Sequence, residues 1–204
     1  MRVIPIKSQQ TYPWLLEKHY AKRIPQIMFA FGLYDDEALI GVCTFGMPAS
    51  PFLCIGVCGK EHKSKVIELN RLCLLNNEKK QASFLVANAI KLLPKPKIIV
   101  SYADSAKGHV GYVYQATNFL FTGTSKERTD RFAGERKHPR HGKDPNIRQF
   151  RSAKHRYIYF HCSKTGKKIL MSNLRYKVMP FPKGESCHYD SGGIVDKQLL
   201  IKYI

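Results

Sequence analysis

Ser101 to Gly123, SYADSAKGHVGYVYQATNFLFTG, predicts a strand, a turn, a helix and a further strand in succession. It follows the apolar run Lys97 to Val100, which is typical of a buried strand. The polar corner Asp104 to Gly108 then leads into a segment whose apolar and aromatic residues recur at helical spacing. These residues are Val110, Val113, Tyr114 and Thr117.

Two side chains in this stretch could carry chemistry. Asp104 is expected where the strand ends, and Tyr114 is expected on the following helix, with Gly111 leaving space beside its ring. A second interpretation is structural: Asp104 caps the helix and Tyr114 packs in the core. The residues alone leave both interpretations open.

Composition points to a nucleic-acid partner. The 204 residues suit one domain, 44% of them are hydrophobic, and Lys+Arg 34 against Asp+Glu 15 gives a net charge of +19. Such a charge attracts polyanions. A membrane surface is a weaker candidate because the charge is not gathered on one amphipathic helix. No apolar run reaches the roughly 20 residues that span a bilayer, and no signal-peptide core is visible, so we expect a cytoplasmic protein.

The six cysteines are expected to be reduced thiols, because they are sparse and most have apolar neighbours. Cys54 and Cys58 lack a second closely spaced pair. The dipeptides His161-Cys162 and Cys187-His188 could complete a zinc site only at an irregular spacing, which argues against one.

The run Lys65 to Leu75 predicts a central strand that is interrupted by Glu68, Asn70 and Arg71. Because side chains alternate along a strand, Glu68 and Asn70 are expected on one face and Arg71 on the other. Buried charges are costly unless they are paired. These residues therefore form an internal network or line a cavity, and we favour the cavity.

A long basic segment follows, at about residues 125–156, and its Gly and Pro content predicts a loop that builds no core. Its cations would neutralise DNA phosphates, while Phe132 or Phe150 could stack on a base. The predicted DNA-binding residues are Lys126, Arg128, Arg131, Arg136, Lys137, Arg140, Arg148 and Arg151. An extended C-terminal arm is expected at about residues 177–204.

The remaining elements complete a mixed α/β sheet flanked by helices. They are a first strand at Arg2 to Ile6, a helix at Tyr12 to Tyr20, a hairpin of Met28 to Tyr34 with Ala38 to Phe45, a helix at Gln81 to Leu93 and a strand at His155 to His161. The sequence lacks a dinucleotide-binding glycine turn, a phosphate-binding P-loop and a nucleophile elbow, which disfavours those three enzyme classes.

Several motifs resemble the Mom DNA-modification proteins of Mu-like phages, which have the acyltransferase (GNAT) fold. They are Ser101 to Gly123, Thr124 to Arg131, His19-Tyr20, Glu68 to Leu72, His155 to Phe160 and Pro182-Lys183-Gly184. The resemblance implies a single GNAT-like domain over residues 1–204. It also implies an enzyme that converts adenine in double-stranded DNA to N6-carbamoylmethyladenine, which protects phage DNA from host restriction.

The resemblance also implies residue roles. The family's functional positions correspond to His19, Tyr20, Asp104 and Tyr114, with Arg71 as a further match. In acyltransferases of this fold, a base often lies where Glu68 lies and a tyrosine often protonates the leaving group where Tyr114 lies. Substrate contacts are expected from Asn70, Arg71, Ser101 and Tyr102.

Under these roles, Asp104 or Glu68 accepts a proton, while His19 and Tyr20 position a flipped adenine. A bound iron has been considered for this family, with His19, Tyr20, Asp104 and Tyr114 as ligands. We rank plain acid/base chemistry above it because two of those four ligands would be phenols.

The sequence leaves two donors open. Acyltransferases usually bind the coenzyme A pyrophosphate with a glycine-containing loop, but Asn76 to Ser83 contains no glycine, although Lys79, Lys80 and the helix amides could meet a phosphate. Glycyl-tRNA is the alternative donor, because an N6-glycyl group is an isomer of the carbamoylmethyl group. Two other functions stay open: a non-enzymatic DNA-binding protein on this fold, and a coenzyme A dependent N-acetyltransferase.

Overall fold

The structure is a computed structural model that describes residues 1–134, 141–184 and 200–202. Its strands are β1 (Arg2–Pro5), β2 (Phe29–Asp35), β3 (Ala38–Gly46), β4 (Val66–Leu74), β5 (Lys97–Asp104), β6 (Leu120–Thr124), β7 (Arg128–Arg131), β8 (Ile147–Arg151), β9 (Lys154–His161) and β10 (Leu200–Lys202). Its α-helices are α1 (Pro51–Cys58), α2 (Gln81–Leu92), α3 (Tyr112–Ala116) and α4 (Lys164–Ser172). A π-helix spans Trp14–Lys18, and short 3₁₀ turns span Ser8–Thr11, Lys60–Lys65 and Ser105–Lys107.

Seven strands form the main sheet in the order β1-β2-β3-β4-β5-β9-β6. Neighbours are antiparallel except β4 and β5, which are parallel and are connected through α2. The predicted mixed α/β fold is therefore confirmed, and strand, turn, helix and strand follow one another through residues 97–124 as expected.

The sheet is covered on both faces because its strands alternate apolar side chains. One face packs against α2 and α3, with Phe45, Ile99 and Leu85 in its core. The other face packs against α1 and α4, with Val66 and Val100 in its core. No helix of the described residues combines the length and the hydropathy that crossing a bilayer requires.

The parallel strands β4 and β5 diverge soon after they meet. Their pairing covers three residues of each strand and ends at Glu68 opposite Val100. Beyond this point β4 carries a bulge: Phe45 and Thr44 of β3 are consecutive, but they pair with Leu69 and Arg71. A bulge increases local twist, and the backbone pairing of β4 with β5 does not continue past it; we call the space between the two strands beyond this point the crevice.

The bulge corrects one expectation. Asn70 is the extra residue, so alternation is interrupted there, and Leu69 and Leu72 both face the core under α2. Glu68 and Arg71 consequently lie on the same face, not on opposite faces as simple alternation predicts.

The basic segment is also more ordered than predicted. Strands β7 and β8 pair with each other and β10 pairs with β8, so the segment forms a small antiparallel sheet. We call residues 125–134 and 141–153 the basic hairpin. The side chain of Arg148 holds it together by donating to Oγ1 and to the carbonyl oxygen of Thr129, at 3.1 and 3.0 Å.

Residues 176–184 run extended over β6 and β9, and we call them the strap. The Met179 amide donates to the Phe121 carbonyl at 2.9 Å, and Phe181 stacks on Tyr157. The Tyr112 hydroxyl on α3 donates to the Gly184 carbonyl. The strap thereby joins the edge of the sheet to the start of α3.

Candidate active site

The crevice between β4 and β5 brings together side chains from distant parts of the chain. His19 is the C-cap of the N-terminal π-helix, and its amide donates to the Trp14 carbonyl at 2.9 Å. This five-residue hydrogen bond is the mark of a π turn, a feature that is frequent at functional sites. It sets His19 and Tyr20 over the strand that carries Glu68 and Arg71. The charge of Arg71 lowers the pKa of His19, and Tyr20 and Glu68 in turn raise the pKa of Arg71 against the effect of its burial.

His19 is buried and neutral. Its Nδ1 accepts the Ala21 amide hydrogen at 3.0 Å, so the ring proton lies on Nε2. Burial lowers its pKa to about 3, and the charges of Arg71, His109 and Arg23 act in the same direction. At neutral pH, His19 is therefore an uncharged hydrogen-bond donor and not a protonated imidazolium that could act as an acid.

Tyr20 stacks on His19 with 4.5 Å between ring centroids, and the His109 ring meets it edge-on at 6.4 Å. The residue is 44% exposed, and the pKa of its phenol is raised, mainly by burial and further by the charge of Asp104. Tyr20 thus offers an accessible aromatic surface next to the crevice.

Glu68 is the group in this crevice that is best suited to accept a proton. Its carboxylate has no hydrogen-bond or ion-pair partner among the residues that the structure describes. Burial raises its pKa to about 7, and the charges of Arg71 and Arg23 oppose that rise. A carboxylate with a pKa near neutrality is poised to act as a general base.

Arg71 lies on the same face as Glu68 and is held by backbone carbonyls. Its guanidinium donates to Asn70 O at 2.6 Å and to Arg23 O at 3.3 Å, while its buried Nε has no partner among the described residues. The Asn70 amide bonds within the protein, to Thr44 at 2.6 Å and Gln26 at 3.1 Å. Arg71 can therefore meet a substrate, whereas Asn70 fixes the bulge.

Tyr114 approaches the crevice from the other face of the sheet. It is 9% exposed and packs against Phe119 and Tyr157. Burial raises the pKa of its phenol, nearby Ser101 opposes that rise, and Tyr20 and Glu68 add to it. A phenol that keeps its proton at neutral pH can serve as a general acid.

Ser101 and Gly111 have supporting positions. Ser101 is fully buried, and its hydroxyl donates to Leu69 O at 2.9 Å across the crevice, so it ties β5 to β4 beneath Tyr114. A Cβ at Gly111, where φ is +78°, would lie 2.5 Å from the Tyr157 ring. The space that Gly111 leaves thus belongs to Tyr157 and not to Tyr114.

Asp104 ends β5 and caps the 3₁₀ turn Ser105–Lys107, and not the helix that carries Tyr114, whose N-cap is Gly111. Its side chain accepts from the Ala106 amide at 3.2 Å, from Ser152 Oγ at 2.5 Å and from Lys154 Nζ at 2.5 Å. Burial alone would raise its pKa, but these hydrogen bonds outweigh burial and lower it. Asp104 is therefore a weak base.

The other predicted substrate contacts lie apart. Tyr102 faces the core under α1, and burial and Glu68 raise its pKa. Lys79 and Lys80 are exposed before α2, and Lys80 adopts φ +71°, a conformation that glycine favours. Glu78 accepts from Gln81 Nε2 at 3.0 Å and so places a negative charge beside Lys79 and Lys80.

The predicted iron ligands do not fit an iron ion. Both Asp104 oxygens accept hydrogen bonds and His19 Nε2 carries the ring proton, so each group would have to give up a bond or a proton to ligate a metal. The residues described also contain no group of three or more His, Cys, Asp and Glu side chains that could hold a metal.

The predicted DNA-binding cations divide into three groups. Arg128 and Arg151 share Asp130, at 3.1 and 3.4 Å, and Arg148 is bound to Thr129. Lys126 and Arg131 have no ion-pair or hydrogen-bond partner among the described residues. Three others lie outside the described residues: Arg136, Lys137 and Arg140.

Sequence reasoning missed Arg23 and His109. The charge of Arg23 acts on His19, Tyr20, Glu68 and Arg71, and His109 contacts Tyr20. Arg23 follows the His19-Tyr20 pair by three residues, which was the available signal. His109 lies in the Ser101–Gly123 stretch, but its position depends on the chain turning back at Gly108, whose φ is +66°.

Comparisons with known proteins agree with one another. A model described as "Mom protein family" matches residues 1–183. Methylcarbamoylase mom of Escherichia phage Mu is 28% identical over 187 residues, which cover 81% of this chain and 77% of that protein.

Solved structures of acetyltransferases resemble part of the fold. An N-acetyltransferase from Staphylococcus aureus Mu50 is 14% identical and covers 78% of this chain and 97% of its own, with a TM-score of 0.47. A putative acetyltransferase from Salmonella typhimurium with its cofactor acetyl-CoA is 8% identical and covers 80% and 95%, with a TM-score of 0.49.

Proposed function

Because the chain belongs to the Mom protein family, we propose that it is a transferase that modifies N6 of adenine in double-stranded DNA to N6-carbamoylmethyladenine. The name of the phage Mu relative, a methylcarbamoylase, supports this chemistry. The observation that carries the proposal is that Glu68, which has no partner among the described residues and a pKa of about 7, shares one crevice with a protonated Tyr114. A base and an acid are the two groups that acyl transfer to an amine needs.

Tyr20 and His19 are proposed to receive the target base. The exposed Tyr20 ring provides a stacking surface for an adenine turned out of the duplex. His19 Nε2–H can donate to a ring nitrogen of that adenine, because Nδ1 is already occupied. This would direct N6 toward Glu68, which accepts its proton as N6 attacks the donor.

Arg71 and Tyr114 are proposed to act on the donor. Arg71 Nε, which has no partner in the part of the chain that the structure describes, can donate to the oxygen that becomes negative during attack. Tyr114 then protonates the departing oxygen. The basic hairpin would hold the DNA phosphates while this occurs.

We propose glycyl-tRNA as the donor. N6 attacks the glycyl ester carbon, and the tRNA 3′-terminal ribose hydroxyl leaves with a proton from Tyr114. The free glycyl amine then attacks ring carbon C6 through a five-membered ring. The bond from C6 to the original N6 breaks, and N–CH2–CO–NH2 remains on C6, so no oxidant or further reactant is required.

The test is a reconstituted reaction with double-stranded DNA, followed by nucleoside mass spectrometry. We expect N6-carbamoylmethyladenine with glycyl-tRNA and none after the tRNA is digested with RNase, and we expect Glu68→Gln to abolish the product. Glu37→Gln, at a surface ion pair with Arg2, is the matched control and should keep activity.

Three outcomes would contradict parts of the proposal. Activity that survives complete removal of tRNA would exclude the glycyl-tRNA donor. Acetylated amines formed from acetyl-CoA would favour the N-acetyltransferase. Tight DNA binding with unmodified adenine under every donor, in vitro and in expressing cells, would favour a non-enzymatic DNA-binding protein.

A further inference from the structure

The carboxylate of Asp104 accepts three hydrogen bonds, and two of the donors come from one place in the chain. Ser152 and Lys154 flank the point where β8 ends and β9 begins, and each approaches Asp104 to 2.5 Å. The third donor is the Ala106 amide at 3.2 Å. With 12% of its side chain exposed, Asp104 has little room for another partner.

The same junction is fastened by the backbone. Ser105 donates to the Ala153 carbonyl through both its amide, at 3.1 Å, and its hydroxyl, at 2.7 Å. At the first residue of the basic hairpin, Ser125 and Lys154 exchange two hydrogen bonds, at 2.9 and 3.0 Å. The two ends of the hairpin therefore meet beside Asp104.

This junction also borders the site. The His109 amide donates to the Asp104 carbonyl at 3.1 Å, and the His109 ring contacts Tyr20. Arg151, the last residue of β8, and Asp104 both act electrostatically on the Tyr20 hydroxyl. The end of the hairpin is thus next to the surface proposed for the adenine.

We infer that Asp104 is a positioning residue that, through Ser152 and Lys154, fixes the basic hairpin relative to Tyr20. DNA held by the hairpin then arrives with its adenine over Tyr20, and Glu68 alone is the proton acceptor. The part of this inference that concerns DNA rests on the proposed function. The anchoring of the hairpin does not, and it can be measured without any substrate.

Three variants separate anchoring from proton transfer: Asp104→Asn, Lys154→Met and the double variant. Asp104→Asn removes a negative charge, so electrostatics alone would tighten DNA binding, and the double variant keeps the parent's net charge. If Asp104 anchors the basic hairpin, all three variants should raise KM for DNA by about tenfold, because each loses a hydrogen bond to a charged group. It also predicts that kcat and the pH profile, which Glu68 governs, stay unchanged, and that the losses are not additive.

Amide hydrogen exchange of the free protein gives the substrate-independent readout. We expect all three variants to exchange faster in residues 125–134 and 147–154, while β2 and β3 keep their protection. If exchange is unchanged, the anchor is refuted. If Asp104→Asn loses turnover at saturating DNA while Lys154→Met does not, Asp104 is a proton acceptor and the inference is also refuted. If exchange rises but no variant or parent modifies DNA, the anchor stands and the proposed function fails.

Discussion

Glu68 is suited to accept a proton, but its ionised carboxylate lowers the stability of the folded chain. Its pKa is raised from 4.5 to about 7 in the folded chain, so the folded state binds the proton more tightly than the unfolded state does. Its contribution to stability is present below pH 4.5 and is lost as pH rises to about 7.

We therefore predict that Glu68→Gln is inactive but more stable than the parent. At pH 8 its free energy of unfolding should exceed the parent's by about 3 kcal/mol, and the difference should vanish toward pH 4. Urea unfolding at the two pH values measures this. In the parent, activity should rise with pH through about 7, because the base must lose its proton. A Glu68→Gln protein that is no more stable at pH 8 would mean that Glu68 titrates normally.

Tyr114 is predicted to contribute its hydroxyl to the reaction and its ring to the core. Tyr114→Phe keeps the contacts with Phe119 and Tyr157, and loss of a general acid typically lowers the rate about 100-fold to 10,000-fold. Modified adenine per unit time is the measurement, with DNA affinity expected to be unchanged. Tyr159→Phe is the matched control, because Tyr159 also packs on Phe119 but lies away from Glu68. Equal rates for Tyr114→Phe and the parent would remove Tyr114 from the mechanism.

Among the elements, β4 has the greatest influence on the site, because its bulge opens the crevice. Deleting Asn70 would restore regular alternation, and Glu68 and Arg71 would still share a face because they would then be two positions apart. It would also remove the extra residue that bends β4 away from β5.

We predict that the Asn70 deletion folds and binds DNA but modifies it at least about 100-fold more slowly, as expected when reacting groups are misplaced. Thermal unfolding should show a loss of about 1–2 kcal/mol for the missing hydrogen bonds to Thr44 and Gln26. Asn70→Ala, which keeps the strand length, is the control and should retain more activity. A fully active deletion would show that the bulge does not shape the site.

The elements also show what the sequence could predict. Strand and helix periodicity located β4, β5, α2 and α3 because those segments have apolar faces that must be buried. Periodicity could not reveal the bulge, since Asn70 is held by partners 26 and 44 residues away. Periodicity also could not predict the strand pairing of the basic hairpin. That pairing depends on Asp130, which lies between Arg128 and Arg151, and on strand β10 far along the chain. The sequence predicted Asp104 as a site residue but could not predict its donors Ser152 and Lys154, which follow from tertiary pairing with β9.

At the scale of the whole molecule, the net charge of +19 predicts DNA binding that weakens steeply with salt. Each phosphate contact contributes about 0.9 to the slope of log affinity against log salt concentration. Lys126→Ala and Arg131→Ala should each lower that slope by about this amount, because neither side chain is occupied by a partner within the described residues. Lys60→Ala, on the turn before β4, controls for charge alone. Titrations at several salt concentrations measure the slopes, and an unchanged slope in both variants would place the DNA elsewhere.

The strap gives the molecule a vulnerability that its strands and helices do not have. Its contacts with Tyr112 and Tyr157 form at the high effective concentration that a continuous chain provides, about millimolar for short connections. A protease that cut between α4 and Tyr176 would leave Glu68, Tyr114 and Arg71 covalently intact, but it would turn those contacts into a bimolecular association. At micromolar protein the freed segment would dissociate and uncover Tyr157, whose hydroxyl holds the Val110 carbonyl just before α3. One cut, more than 50 residues from Tyr114, would therefore loosen the helix that presents its phenol.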